Sequence, residues 1–82
     1  MPGPVPERGP ARDVTAVGEA ALIDGFALAG VRTCPAETAD EVRRCWSAAE
    51  DAAVVILTPA AADALGALRF VERAPLTVVL PP

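Results

Sequence analysis

The most reactive side chains in this 82-residue sequence are the two cysteines, Cys34 and Cys45. A structural zinc site needs about four cysteine, histidine or carboxylate ligands, and the chain has two cysteines and no histidine, so we do not expect zinc. Their spacing permits a disulfide. Because Cys34 ends a predicted strand and Cys45 lies on the buried side of a predicted helix, we expect two buried structural thiols instead.

The motifs that bind nucleotides are incomplete. A dinucleotide-binding turn requires G-x-G-x-x-G after the first strand, where this sequence offers only Gly18, followed by Glu19. A Walker A loop requires a lysine, and every basic residue here is arginine. Gly18 is then a tight strand-to-helix turn, and Glu19 at a helix N-terminus complements the helix dipole and repels phosphate. We therefore expect no cofactor and no small-molecule ligand.

Catalysis by acidic side chains is equally unsupported. A phospho-receiver domain has paired acidic residues after its first strand, an acceptor aspartate after its third, and a lysine. Here the third strand ends at Thr58 and Pro59, and Glu19 alone cannot hold Mg²⁺ and accept phosphate together. The chain also lacks histidine and tyrosine, and no two carboxylates end neighbouring strands. We predict that it is not an enzyme and has no catalytic or metal-binding residues.

The elements that carry these residues alternate between strands and helices. Helix one is predicted over residues 19–29, with Gly30 as its C-terminal stop and an apolar face formed by Leu22, Ile23, Phe26 and Ala27. Gly25 in its middle indicates close approach to another backbone. The strands are predicted at residues 13–17, 31–34, 53–57 and 76–80.

The second helix begins at a capping box, in which the Thr38 hydroxyl accepts from the Glu41 amide and the Glu41 carboxylate reaches back. Asp40 and Arg44 are spaced for an ion pair on its exposed side. The third helix opens with Thr58 at the N-cap and Pro59 at the first position, and its predicted inner side holds Ala61, Leu65, Leu68 and Val71.

This order of elements predicts one small α/β domain. Right-handed crossovers give a doubly wound, four-stranded parallel sheet in the order 2-1-3-4 with three helices, like flavodoxin and receiver folds. The domain is predicted to occupy residues 13–82, and the proline-rich residues 1–12 are expected to form a disordered tail.

Composition excludes several kinds of partner. The net charge is −4 and no basic patch is present, so nucleic acid is not expected to bind. The N-terminal residues lack the apolar core of a signal peptide, and the longest apolar run, residues 52–57, is far too short to span a bilayer. We expect a cytoplasmic protein without direct membrane insertion.

The predicted topology leaves apolar surface unpartnered. Helix one covers one face of a 2-1-3-4 sheet and helices two and three cover the other, whereas strand four is apolar on both sides and no later helix follows. Exposed apolar patches of this kind mark partner sites. Contacts with a partner are expected where loops meet at the carboxyl edge of the sheet, and the candidate residues are Gly18, Glu19, Asp24, Thr58 and Pro59.

Two motifs connect the chain to a known family. The sequence Val17-Gly18-Glu19 after strand one, followed by Gly25-Phe26 and by residues 28–31 (LAGV), resembles the N-terminal signature of the F subunit of V-type and A-type rotary ATPases. The likeness extends through the junction at Thr58 to the proline-flanked last strand.

The resemblance implies a non-catalytic subunit of the central rotor stalk, peripheral to the membrane. Such a subunit binds the coiled-coil shaft subunit, turns with it inside the catalytic head, and couples ATP hydrolysis or synthesis to the transport of protons or other ions. Members carry a further C-terminal helix that reaches toward the head and modulates ATPase activity. This sequence has no such segment before its last residue, Pro82, so the resemblance implies stalk binding without that regulatory role.

Overall fold

The computed structural model describes residues 14–71 and 74–82, and the predicted tail at residues 1–12 lies outside them. The sheet is four-stranded and parallel, in the order β2-β1-β3-β4, which confirms the predicted fold class. Each strand lies within one residue of its predicted limits. The four strands β1 to β4 are Val14–Gly18, Arg32–Pro35, Val54–Leu57 and Leu76–Val79.

The main core lies between one face of the sheet and the second and third helices. Side chains alternate across a strand, so Val17 in β1 and Val55 and Leu57 in β3 share this face, and all three are fully buried. Residues from both helices complete the cluster, and it contains Ala36, Val42, Cys45, Ala49, Ala61, Ala62 and Leu65. Ala16 in β1 and Ile23 in the first helix are also fully buried, but they lie outside this cluster, on the opposite face of the sheet.

The first helix is shorter than predicted. An α-helix, α1, covers only Ala20–Ile23, and a 3₁₀ segment continues over Asp24–Ala29 to Gly30, which has a φ of 84° and ends the element as predicted. A 3₁₀ segment has about three residues per turn, so its side chains leave the stripe that an α-helix would form. The predicted apolar face is therefore wrong beyond Ile23, and Leu22 is about half exposed.

The glycine within this segment does not touch another backbone. A Cβ added to Gly25 would meet no atom within 4 Å, which contradicts the predicted close approach. Gly25 is better explained as a residue of low helix propensity that helps to end α1.

The second helix, α2, covers Ala39–Ala48, and its predicted cap is half right. The Thr38 hydroxyl accepts from the Glu41 amide at 3.1 Å, but the Glu41 carboxylate accepts from the Glu37 amide at 2.7 Å instead of returning to the cap. The predicted ion pair is wrong by one position, because Asp40 pairs with Arg43 at i,i+3.

The third helix, α3, covers Pro59–Leu65, with Thr58 and Pro59 in the predicted capping positions. It ends earlier than expected because Gly66 adopts a φ of +54° and starts a 3₁₀ segment, Gly66–Phe70. Ala61 and Leu65 are buried as predicted, whereas Leu68 and Val71 lie past this break and are exposed. No helix among the described residues is both long enough and apolar enough to cross a membrane.

Candidate functional site

The carboxyl end of β1 lies between those of β2 and β3, at the switch point where doubly wound sheets usually bind ligands. Gly18 has a φ of 154°, and a Cβ at this position would lie 2.8 Å from the Cβ of Thr58. Thr58 is fully buried, and its amide donates to the Val17 carbonyl at 3.2 Å. Thr58 therefore fills the space at the switch point that a side chain at position 18 would need.

The Thr58 hydroxyl is satisfied in both of its hydrogen-bonding roles. It donates to Glu19 Oε1 at 2.5 Å and accepts from the Ala61 amide at 3.3 Å, which caps α3. The hydrogen bond from Thr58 holds the pKa of the Glu19 carboxyl below its usual range, assisted by the backbone amide of Glu19 itself, while slight burial acts in the opposite direction. The folded state therefore favours the ionised form of Glu19, which accepts the hydrogen bond from Thr58.

A second carboxylate at this edge was not anticipated from the sequence. Glu37, in the loop between β2 and α2, accepts the amide of Ala20 at 2.9 Å and so caps α1 from outside that helix. Glu41 in turn accepts the Glu37 amide. The sequence did contain a signal for this contact. When β1 and β2 are parallel neighbours, an acidic residue that follows β2 lies beside the helix that follows β1.

Glu19 and Glu37 line a cleft of about 390 Å³ between the beginnings of α2 and α3. Its charged lining consists of Glu19, Glu37 and Asp63. A surface with this charge disfavours phosphate. Within the described residues, no group of three histidine, cysteine or acidic side chains is placed to hold a metal ion.

The structure brings together four of the five predicted contact residues. Gly18, Glu19, Thr58 and Pro59 lie at the carboxyl edge, whereas Asp24 begins the 3₁₀ segment after α1 and is exposed. Gly18 and Thr58 are buried and support the packing of the edge. Glu19, Asp24 and Pro59 are accessible, and their role in binding a partner stays a prediction.

The predicted apolar patch is present on the sheet face that also carries α1. The register pairs Val54 with Leu76 and Ile56 with Val78, so these four side chains point to the same side as Ala16. We call them the open strip. Leu76 is 68% exposed and Val78 48% exposed, while Val54 and Ile56 are half-buried. Val79, which follows Val78 in β4 and points to the opposite face of the sheet, is also exposed, at 38%. Further exposed large apolar side chains lie apart from the open strip in sequence, at Leu22, Leu28, Leu68, Phe70 and Val71.

The cysteines form a disulfide, which corrects the expectation of two free thiols. Cys34 near the end of β2 and Cys45 on the inner side of α2 have their Cα atoms 5.9 Å apart, within the range that a disulfide spans. The prediction had placed each residue in the right element. It failed because the sequence alone did not show that α2 packs directly over the end of β2.

The fold and its edge define a small doubly wound parallel α/β domain whose switch point is filled by its own side chains. Comparison of the chain with protein-family models, with curated proteins and with solved structures finds no significant match in any of the three.

Proposed function

We propose that this chain is a non-catalytic protein-interaction domain that docks a partner helix on the open strip. The observation that carries this proposal is the exposure of Leu76 and Val78 beside half-buried Val54 and Ile56 on one sheet face. Contiguous apolar surface on a small domain is a common mark of a partner site. Burial of these side chains by a partner supplies the free energy of association.

The dimensions of the open strip favour a helix as its occupant. Neighbouring strands lie about 4.8 Å apart, so β3 and β4 together present a surface about 10 Å wide, the diameter of one α-helix. On the same face α1 already packs beside β1 and β2. A partner helix over β3 and β4 would complete this layer in the way that helices cover both faces of parallel sheets.

The carboxyl edge supports an interaction role over ligand chemistry. Thr58 occupies the switch-point crevice, and its hydroxyl is already bonded to Glu19 and to the amide of Ala61. The adjoining cleft is lined by carboxylates. A phosphate-bearing ligand would meet these carboxylates, and no arginine in the described part of the chain lines the cleft.

We further propose, from the resemblance of residues 17–31 to the F subunit of V-type and A-type rotary ATPases, that the partner is the coiled-coil central-stalk subunit. In this role the domain turns with the shaft and contributes to coupling ATP hydrolysis or synthesis to ion transport without binding nucleotide. A coiled-coil shaft presents long helices, which is the shape of occupant that the open strip favours. This assignment of the partner depends on the sequence motif, because no family model matches the chain.

Co-expression with the coiled-coil stalk subunit of the same organism, followed by size-exclusion chromatography, tests the proposal. We expect a one-to-one complex that is lost in the double variant Leu76→Thr/Val78→Thr, which places β-branched residues, favourable in strands, at both positions of β4. The matched control is Leu28→Gln, because Leu28 is 94% exposed and lies outside the open strip. The charge reversals Glu19→Arg and Asp24→Arg map the contribution of the edge.

The outcomes separate the interface from the identity of the partner. A complex that survives Leu76→Thr/Val78→Thr but not Asp24→Arg would move the interface to the flank of α1. Loss of the complex in Glu19→Arg would move it to the carboxyl edge only if circular dichroism shows that this variant is folded, because the substitution also removes the bond from Thr58. Complete separation of the two proteins at micromolar concentration would contradict the rotor-stalk assignment. If the chain then self-associates in sedimentation velocity and the strip variant is monomeric, the occupant is a second copy.

A further inference from the structure

We propose that the Cys34–Cys45 disulfide is a reversible exchange site that a dithiol reduces in the folded protein, with Cys34 as the sulfur attacked. This inference is independent of the docking proposal. It rests on the position of the disulfide at the edge of the sheet, between two clefts, and on the charges that line them.

Both cysteines line two surface clefts. One cleft, of about 420 Å³, is lined by Cys34, Pro35, Glu41, Arg44, Cys45 and Ala48, and a second, of about 170 Å³, includes Arg32, Thr33 and both cysteines. Cys34 is half-buried in β2, an outer strand of the sheet, whereas Cys45 is only 6% exposed. Cys34 packs against the core cluster but is the more exposed residue of the two, so in this proposal the incoming thiolate attacks Cys34 Sγ and Cys45 is the leaving group.

The surroundings favour the anions on which exchange depends. Arg44 lines the larger cleft and Arg32 the smaller one, so each cleft beside the disulfide is bordered by a basic residue. Positive charge attracts the incoming thiolate and stabilises the departing one. Glu41 opposes this effect in the larger cleft, but it accepts a hydrogen bond from the Glu37 amide.

The reaction balances with a dithiol as reductant. Its thiolate attacks Cys34 Sγ and forms a mixed disulfide, while the Cys34–Cys45 bond breaks and Cys45 leaves as a thiolate that takes a proton. The second thiol of the reductant, once deprotonated, attacks the reductant sulfur that is bonded to Cys34. This closes the disulfide of the reductant and releases Cys34 as a thiolate, which also takes a proton. The protein gains two electrons and two protons, and the dithiol becomes a disulfide.

The fold has contacts that remain after reduction. Thr38 caps α2, and Val42 and Ala49 bury that helix against the core without the sulfurs. β2 is paired to β1 through the backbone. Reduction thus releases a covalent tie between β2 and α2 and leaves both elements in place.

The test measures the reduction of the full chain by dithiothreitol at pH 7, with alkylation and mass spectrometry as the readout. We expect a rate proportional to dithiothreitol concentration and an unchanged far-ultraviolet circular dichroism spectrum in the reduced protein. Arg44→Gln should slow the reaction about threefold. Arg43→Gln is the matched control and should leave the rate unchanged, because Arg43 pairs with Asp40 and lines neither cleft around the disulfide.

Single-cysteine variants compare how accessible the two cysteines are to a reagent. With a chromogenic disulfide, Cys34 in Cys45→Ser should react at least about tenfold faster than Cys45 in Cys34→Ser. The proposal is overturned if the rate of reduction does not depend on dithiothreitol concentration and equals the rate of global unfolding, because reduction would then require the chain to unfold first. It is also overturned if the reduced chain unfolds, or if Cys45 proves to be the more reactive sulfur.

Discussion

The hydroxyl of Thr58 donates a hydrogen bond of 2.5 Å to the carboxylate of Glu19, which lies 39 positions earlier in the chain. The contact joins the residue after β3 to the residue after β1. The same hydroxyl accepts from the Ala61 amide, so one side chain caps α3 and connects the two central strands.

Replacement of Thr58 should therefore cost more than replacement of an ordinary cap. We expect Thr58→Val to lower the free energy of unfolding by about 2–3 kcal/mol, since both the cap and the bond to Glu19 are lost in a buried position. The matched control is Thr38→Val, at the exposed cap of α2, for which about 1 kcal/mol is expected. Urea unfolding measures both, and equal losses would show that the Glu19 contact contributes nothing.

The stability of the domain should depend on the ionisation of Glu19. Its pKa is lowered in the folded state by the bond from Thr58, so the ionised form favours folding. The contribution is fully present above the ordinary pKa of a glutamate carboxyl in the unfolded chain, and it is lost as pH falls through the lower folded-state pKa.

A carbon-detected titration of the Glu19 side chain should give a midpoint below the usual range in the native protein. In Thr58→Val the midpoint should move upward, because the principal cause of the shift is removed. An unchanged midpoint in this variant would assign the shift to another group.

Two glycines provide a direct test of the packing at the switch point. Gly18→Ala should destabilise the domain by about 2–4 kcal/mol, because the new Cβ would overlap Thr58 and the φ of 154° is unfavourable for alanine. Gly25→Ala, with no atom within 4 Å of the new Cβ, should be neutral or stabilise by up to about 1 kcal/mol. In thermal unfolding, the midpoint temperature should fall for Gly18→Ala and should stay unchanged or rise for Gly25→Ala.

The disulfide should contribute to stability through the loop that it closes. Its cysteines are 11 positions apart, and closing a loop of this size stabilises by about 3 kcal/mol in the chain-entropy model. Urea unfolding with and without reductant measures this difference in the native protein. The double variant Cys34→Ala/Cys45→Ala should not respond to the reductant, and any response would indicate an effect unrelated to the bond.

The topology and the edge of the sheet were predictable from local signals. The apolar runs of the strands, the cap at Thr58 and Pro59, and the stop at Gly30 each depend on a few neighbouring residues, and all are confirmed. Once the strands are parallel and adjacent, their carboxyl ends must meet, so the proximity of Gly18 and Thr58 follows from the order 2-1-3-4.

The features that were missed depend on how separate elements meet in space. The disulfide requires α2 to lie over the end of β2. The cap that Glu37 provides joins the loop after β2 to the beginning of α1. The 3₁₀ segments after Ile23 and Leu65 reflect a small change in residues per turn that apolar spacing does not resolve.

The direction of the strands has a mechanical consequence. β1 begins at Val14 on the amino edge of the sheet, and β4 ends at Val79 on the opposite edge. Tension between these two points acts along the strands. It loads the β1–β3 and β3–β4 hydrogen bonds in shear, so the bonds of each pair bear the force together and do not break one after another. Whatever precedes Val14 and follows Val79 is therefore joined by a stiff link, which can transmit a pull without peeling the sheet apart.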